Sequence, residues 1–356
     1  MSSPGSSPVH GIGVVGCGVI GPRHAQVATS LPNARFVACT DVVPERAEKM
    51  ADAYGGEAEA DLASLLARED VDVVSVCGPS GLHAEIGVQA AAAGKHVVVE
   101  KPIDISLAAA DRLISAAGQA GVKLTVISQH RFDAGLVELH KMIEEGKLGR
   151  LVLADSKVKW YRSQAYYDSG DWRGTWELDG GGALMNQGVH YTDMLRWCMG
   201  PVSEVMAVTA TAAHKMETED VALALVRFAS GAVGTLEAST AVYPGFLERL
   251  EVSGTEGTVV VEDGAVVVRE FLAERGEIGA YGVRVESKPP AAPASGASDP
   301  GAISNDSHAL QVADLLAAID EGREPLMTGR EARNALELVL AVYESARRNA
   351  PVKLPL

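Results

Sequence analysis

Gly11-Ile12-Gly13-Val14-Val15 leads directly into Gly16-Cys17-Gly18-Val19-Ile20-Gly21, and Pro22 follows. A β-like apolar run, a G-x-G-x-x-G turn and a proline at the start of a helical pattern give this otherwise weak motif its required setting. Gly16 permits the tight turn, Gly18 lets the backbone approach a pyrophosphate, and Gly21 lets the helix pack closely on the strand. With Val19 and Ile20 they are candidate dinucleotide contacts, because the helix N-terminus offers unpaired N–H groups to an anion.

Working outward, short Val/Ile-rich runs alternate with helical patterns as far as Ser128. Runs at 35–40, 71–77, 96–100 and 123–128 are separated by helices at 22–31, 44–54, 82–93 and 106–120. Continuous apolar strands divided by helices predict a parallel sheet covered on both faces, a doubly wound Rossmann domain over residues 1–128. Asp41 stands twenty residues beyond Gly21, at the end of the second run. A carboxylate there accepts hydrogen bonds from the adenosine ribose and repels a 2′-phosphate, which favours NAD over NADP. Capping the next helix is the structural alternative. Gly78-Pro79-Ser80, His83 and Glu100-Lys101-Pro102 follow strands at the carboxyl edge, where such sheets bind ligands. Each also has a purely structural reading, and Lys101 is either a solvated loop residue or a catalytic ammonium.

After Arg150 the pattern changes to strands joined by Ser230-Gly231, Gly254–Gly257 and Asp263-Gly264 turns. These predict a C-terminal α+β domain, 129–356, with a mostly antiparallel open sheet and helices on one face. Val221, Leu223 and Leu225 alternate as a subunit interface would. Lys288–Ser304 reads as a loop, with helices at 307–320 and 329–349 after it. Within this half, Gly180–Gly182 precede a helix expected from Ala183 that carries Asn186 and His190 four apart, on one face. The glycines leave room for another backbone or a ligand. A core helix with a hydrogen-bonded histidine is the alternative. Tyr161, Tyr166, Tyr167, Trp172 and Trp176 supply ring faces suited to a sugar or cyclitol, or else to the core or a dimer. Arg131 and Arg162 could meet an acidic substrate or sit exposed.

Composition narrows the partners. The 356 residues carry 31 Lys+Arg against 47 Asp+Glu, a net charge of −16, which argues against nucleic acid and anionic membrane. No apolar run reaches the ~20 residues of a membrane helix. Met1–His10 reads as a solvated tail, not a signal peptide, and a cytoplasmic setting follows. The four cysteines form no CxxC, and the nine histidines no ligand set, so buried thiols and no metal are expected.

Three segments together closely resemble the glucose–fructose oxidoreductase / inositol dehydrogenase (Gfo/Idh/MocA) family. They are GCGVIGPRHA, SVCGPSGLHAEIGVQAAAAGKHVVVEKP and GGGALMNQGVHYTDMLRW, supported by the 170–176 segment. The resemblance implies an NAD-dependent oxidoreductase interconverting a secondary hydroxyl and a ketone on a sugar, cyclitol or nucleotide sugar. It implies that Lys101, followed by a cis Pro102, hydrogen-bonds the reacting oxygen, and that His190 is the usual catalytic histidine. Asn186 replaces the family's aspartate, so it can bind a hydroxyl but cannot raise the basicity of His190. Trp172 and Arg173 resemble residues approaching the nicotinamide. Tyr161, Arg162, Asn186 and Trp176 are the expected substrate contacts, in a cleft between the domains. His190 takes the hydroxyl proton while Lys101 steadies the alkoxide, or Lys101 itself serves as acid/base. A homodimer or homotetramer is implied. The alternatives are a glycoside hydrolase of the same family with transient redox chemistry, and a non-catalytic NAD-binding protein.

Overall fold

A computed structural model describes residues 8–274 and 306–356. Most of the expected N-terminal tail and the Lys288–Ser304 loop therefore lie outside the described residues. His10, placed in that tail from sequence, instead opens the first strand, buried with Nε2 2.9 Å from Asp320 Oδ1. The chain divides into two compact units. One holds the residues up to Gln129, Glu177–Gly180 and the stretch ending at Leu336. The other holds His130–Trp176, the chain from Gly181 onward, and Glu337–Leu356.

In the first unit β1 (His10–Val15), α1 (Gly21–Ser30), β2 (Ala34–Thr40) and α2 (Pro44–Tyr54) follow the expected alternation. A short β3 (Glu57–Ala58) and α3 (Leu62–Ala67) come next, neither of them singled out from the sequence. Then come β4 (Val73–Val76), α4 (His83–Ala92), β5 (His96–Val99), α5 (Leu107–Ala120) and β6 (Leu124–Val126). Strand order is β3-β2-β1-β4-β5-β6, all pairs parallel. Every residue of β1 and β4 is buried, as strands covered on both faces require. Ser106 caps α5 by accepting from Ala109 N, and Gly121 ends it in the left-handed conformation. Because β2 and β4 flank β1 on opposite sides, the chain reverses its winding there and opens a crevice at the carboxyl ends of β1 and β4.

The second unit contains α6 (Ala134–Glu144), β7 (Leu151–Lys159), α7 (Gln164–Tyr167) and α8 (Val189–Met199). Six strands follow: β8 (Val202–Ala210), β9 (Val221–Phe228), β10 (Val233–Ser239), β11 (Arg249–Gly254), β12 (Gly257–Glu262) and β13 (Ala265–Phe271). The sheet order is β13-β12-β11-β7-β10-β9-β8-β14, where β14 is Val352–Lys353. Only β7 and β10 pair in parallel; the rest are antiparallel. Asp263 and Gly264 both have positive φ, at 47° and 71°, which is the hairpin turn the dipeptide announces between β12 and β13. Along β9 the alternate residues Ala222, Ala224, Val226 and Phe228 are buried, while Leu223 and Leu225 are exposed.

Two C-terminal helices complete the chain, α9 (Asp306–Glu321) and α10 (Gly329–Arg348). The sequence reading put everything after 128 in the second domain, yet α9 belongs to the first compact unit. Its Val312, Leu315 and Leu316 join the core of Ile12, Val14, Ala25, Ala28, Val98 and Ile127. Gln311 fixes the docking: its Oε1 accepts from Ser128 N at 2.9 Å and its Nε2 donates to Val126 O at 2.7 Å. An apolar helical stripe does not say which sheet it will cover. That choice lies in pairings hundreds of positions apart in the chain.

Candidate active site

At the first unit's crevice the glycines divide by what demands them. Gly16 has φ +96°, and a Cβ there would lie 2.8 Å from Cys77 backbone atoms; one on Gly21 would lie 2.2 Å from Gly16 O. The fold itself requires both. A Cβ on Gly18 meets nothing within 4 Å, and its φ is not left-handed. Among the described residues nothing needs a glycine at 18, so the open space above it fits a ligand backbone contact. Gly18 and Val19 are exposed, and α1 opens without a side-chain cap or an acidic residue in its first turn. Pro22 has no N–H and those of Arg23 and His24 donate to Ile20 O, so an anion would be met by the N–H groups of the turn and of Gly21.

Asp41 Oδ2 accepts from Cys17 N at 2.7 Å and Oδ1 from Val43 N at 2.8 Å, tying the carboxylate to the glycine turn. The helix-cap alternative falls away, because α2 starts at Pro44 after Val43, with no side-chain cap. Arg46 brings Nη1 to 3.9 Å from Asp41 Oδ1. The cradle of three glycines, an open helix start and a carboxylate after β2 fits a dinucleotide with an unphosphorylated ribose.

Gly78, Pro79 and Ser80 follow β4, and Glu100 and Lys101 follow β5, at that same carboxyl edge. The Lys101–Pro102 bond is cis, as expected. His83 and Glu100 are both buried and hydrogen-bonded within this edge. His83 is buried, with Nδ1 2.7 Å from Pro102 O and Nε2 2.9 Å from Gly78 O. Burial favours its neutral ring, which carries one N–H and donates to one of the two carbonyls at a time. Glu100 is buried, accepting from Lys101 N at 3.1 Å and meeting His24 Nε2 at 2.9 Å, with His308 Nε2 at 4.0 Å. Burial opposes both charges of the His24–Glu100 pair. Contacts with Cys77 and Glu100 still push His24 up to about 10, and His24 holds the Glu100 carboxyl far below the usual range. The residue preceding Lys101 is thus locked by an ion pair that the sequence did not announce.

In the second unit the expected single α-helix from Ala183 is instead a π-helical turn, Leu184–Gly188, running into α8. Such turns recur at functional sites. The space left by the glycines is filled by the protein's own atoms. A Cβ on Gly182 would lie 1.8 Å from Glu219 O, and one on Gly181 2.2 Å from Tyr343 Oη. The helix start is capped by Glu219, buried, whose oxygens accept from Gly182 N at 2.9 Å and Leu184 N at 2.8 Å. Tyr343 Oη accepts from Met185 N and donates to Glu219 Oε1. Burial pushes the Glu219 carboxyl up to about 7, its bonds pulling the other way. From Gly181 to His190 only Asn186 and His190 escape burial.

Asn186 joins a polar and aromatic cluster. Gln187 Nε2 donates to Asn186 Oδ1 at 3.3 Å and to Tyr166 Oη at 3.1 Å, and Arg173 Nη1 donates to the same hydroxyl at 2.8 Å. Arg173 lies over the rings of Tyr166 and Trp172, and buried Arg162 over those of Trp160 and Tyr166. Gln187 and Trp160 are the members of this cluster that the sequence reading did not single out; a single sequence carries no signal for their convergence. Tyr161 and Trp176 stand apart from it, edge-on to Tyr243 and Tyr343 respectively. Arg131 is no exposed surface residue: it forms a buried bidentate pair with Asp193 at 2.8 and 2.6 Å. All four cysteines are buried and free. Among the described residues no His/Cys/Asp/Glu cluster could hold a metal, and no helix is long and apolar enough to cross a membrane.

The comparisons agree with this construction. Residues 10–128 match the model described as an oxidoreductase family with an NAD-binding Rossmann fold, and residues 136–260 match the GFO/IDH/MocA C-terminal domain. Myo-inositol 2-dehydrogenase of Thermotoga maritima is 28% identical, over 96% of this chain and 98% of its own. Levoglucosan dehydrogenase of Pseudarthrobacter phenanthrenivorans is 28% identical, over 70% and 72% respectively. The WlbA dehydrogenase of Bordetella pertussis, solved with NADH and UDP-GlcNAcA, superposes with a TM-score of 0.85 at 34% identity, covering 98% of this chain and 99% of that one. With the glycine cradle, the Asp41 carboxylate beside it and both domain models matched, the chain belongs to the GFO/IDH/MocA family of NAD-binding oxidoreductases.

Proposed function

We propose that the protein is an NAD-dependent dehydrogenase of a sugar, cyclitol or nucleotide sugar, with Lys101 and His190 as its catalytic residues. The observation that carries this reading is Lys101 directly after β5, at the carboxyl edge that also bears the glycine turn and Asp41. NAD, when bound, supplies the hydride acceptor. His190 accepts the hydroxyl proton, and Lys101 donates a hydrogen bond to the developing alkoxide. Asn186, held by Gln187, binds a neighbouring hydroxyl, and the rings and guanidinium groups around Tyr166 supply apolar faces and donors for a ring-shaped polyol. The activities named for the inositol and levoglucosan relatives, and the nucleotide sugar in the WlbA complex, support this substrate class.

The protein acts as a homo-oligomer in this reading. Met206 faces Leu225 and Val208 faces Leu223 across β8 and β9, all four exposed, forming an apolar face that a second copy would cover.

The test is NADH absorbance with purified protein, NAD and a panel of inositols, monosaccharides, glycosides and nucleotide sugars, beside Lys101→Ala and His190→Asn. Substrate-dependent NADH that falls at least 100-fold in both variants is the expected result (~2.7 kcal/mol of lost transition-state stabilisation). Release of an aglycone with no net NADH would replace this reading by a redox-neutral hydrolase. NAD binding without turnover across the panel would reject it.

A further inference from the structure

Arg173 stands in the cluster that includes Asn186, a cation held in place by neutral groups. Its guanidinium carbon lies 4.4 Å from the centre of the Tyr166 ring and 4.6 Å from that of Trp172. Nη1 donates to Tyr166 Oη at 2.8 Å. Carboxylates near it in the chain are turned to other tasks. Asp168 accepts from Gln164 Nε2 at 2.9 Å, and Glu217 accepts from Trp176 N at 3.2 Å. Among the described residues Arg173 forms no ion pair, whereas Arg68, Arg131 and Arg249 each meet a carboxylate at hydrogen-bond distance. The line from this cation to Asn186 is short. Tyr166 Oη also accepts from Gln187 Nε2 at 3.1 Å, and the same Nε2 donates to Asn186 Oδ1 at 3.3 Å.

We propose that the substrate carries an anionic group, a carboxylate or a phosphate, and that Arg173 is the residue that selects it. The inference deepens the dehydrogenase reading and rests on it for taking this cluster as a substrate site. A guanidinium keeps its charge at any working pH, and its five N–H donors form a planar fork that matches both oxyanions. The two rings and the bond to Tyr166 fix the group while occupying one donor, so the rest of the fork serves a ligand. A half-buried cation gains most from a ligand that brings the missing negative charge. The protein as a whole works the other way. Its net charge of −16 repels anions, so an acidic substrate needs fixed positive charge at the site itself. The pyrophosphate of NAD is the other anion to consider. It has donors of its own at the Gly16–Gly21 turn, whereas Arg173 is joined by hydrogen bonds to Asn186. The carboxylate of a uronate and the phosphate of a sugar ester or nucleotide sugar share this chemistry, and binding separates them.

The experiment is calorimetric binding to the NADH-loaded whole protein. The anionic probes are D-glucuronate, D-glucose 1-phosphate and UDP-glucose, and D-glucose is the neutral reference. At least one anionic probe is expected to bind roughly 10- to 150-fold more tightly than glucose, the range of a hydrogen bond to a charged group. Which probe shows the advantage tells a uronate from a phosphate or a nucleotide sugar. Arg173→Met is expected to bring that probe down to the affinity of glucose. Arg173→Lys, which keeps the charge but not the fork, is expected to retain part of the advantage. Arg173→Gln makes the same comparison as Arg173→Met should the latter not fold. The absence of any anionic advantage in wild type, or an advantage that survives in the uncharged variant, would overturn the proposal. So would a loss confined to NADH affinity, which would give Arg173 to the cofactor. An Arg173-dependent advantage in a protein that forms no NADH from any compound would leave the charge selection standing and sink the dehydrogenase reading instead.

Discussion

Replacing Gly18 and Gly21 by alanine, one at a time, separates what the glycine turn does for the fold from what it does for NAD. An added Cβ at 18 meets nothing within 4 Å, and the backbone there is not left-handed. The unliganded Gly18→Ala protein is therefore expected to be as stable as wild type, or about 0.4–1 kcal/mol more stable through a stiffer unfolded chain. At 21 the same methyl would lie 2.2 Å from Gly16 O. Backbone must shift, at a cost of about 1–3 kcal/mol.

Affinity should follow the opposite order. The methyl at 18 projects into the open space at the turn, where a pyrophosphate approaches backbone N–H groups. Losing one charge-assisted hydrogen bond costs about 2–3 kcal/mol, or roughly 30- to 150-fold in NADH affinity. Thermal unfolding without nucleotide and NADH fluorescence titration measure the two quantities. Wild-type NADH affinity in Gly18→Ala would refute the argument. So would a fall in unliganded Tm as large as that of Gly21→Ala.

Two further outcomes follow from buried charges in the second unit. Glu219 has its carboxyl raised by burial from 4.5 to about 7, so the folded state holds this proton where the unfolded chain has released it. Its contribution to stability is complete below pH 4.5 and is lost as pH rises to 7. The loss is about 3 kcal/mol, read as a fall in urea midpoint from pH 4.5 to pH 8 that Glu219→Gln abolishes; an identical pH slope in the variant would contradict it. For the Arg131–Asp193 pair, bidentate and buried, Arg131→Met leaves a carboxylate without its partner and should cost about 3–5 kcal/mol in denaturant unfolding. The double replacement Arg131→Met/Asp193→Leu should recover most of that, and a purely additive double variant would show that the pair is not coupled.

What could be read in advance follows from the range of the forces involved. The parallel sheet was legible because buried strands must be apolar throughout, and Gly16 and Gly21 because a tight turn and a close packing admit little else. Asp41 was legible through its fixed spacing from Gly21. The hairpins of the second sheet were legible in dipeptides such as Asp263-Gly264, where local backbone geometry selects the residue. Lys101 and His190 stood out only through resemblance, since a lysine after a strand and a histidine on a helix have ordinary structural uses. Interactions between distant positions left no trace. Gln311 closing β6, Glu219 and Tyr343 capping the π turn, and His130 against His190 each join segments whose local patterns are complete without the other.

Several buried contacts of this kind stand directly behind residues proposed to act. Glu100 binds the Lys101 backbone and is itself held by His24, while Glu219 anchors the turn bearing Asn186. Each is a buried carboxyl group, costly to desolvate and tolerable only where partners satisfy it. A fold stabilised by burial alone has no need of them, and apolar residues of similar volume would often serve stability as well. Their position at the backbone of candidate catalytic residues assigns them a different task, the fixing of a polar geometry within a few tenths of an ångström. On that argument, loss of His24 or Glu219 should lower turnover more than it lowers NAD affinity, because the cradle around Gly18 and Asp41 is built from other contacts.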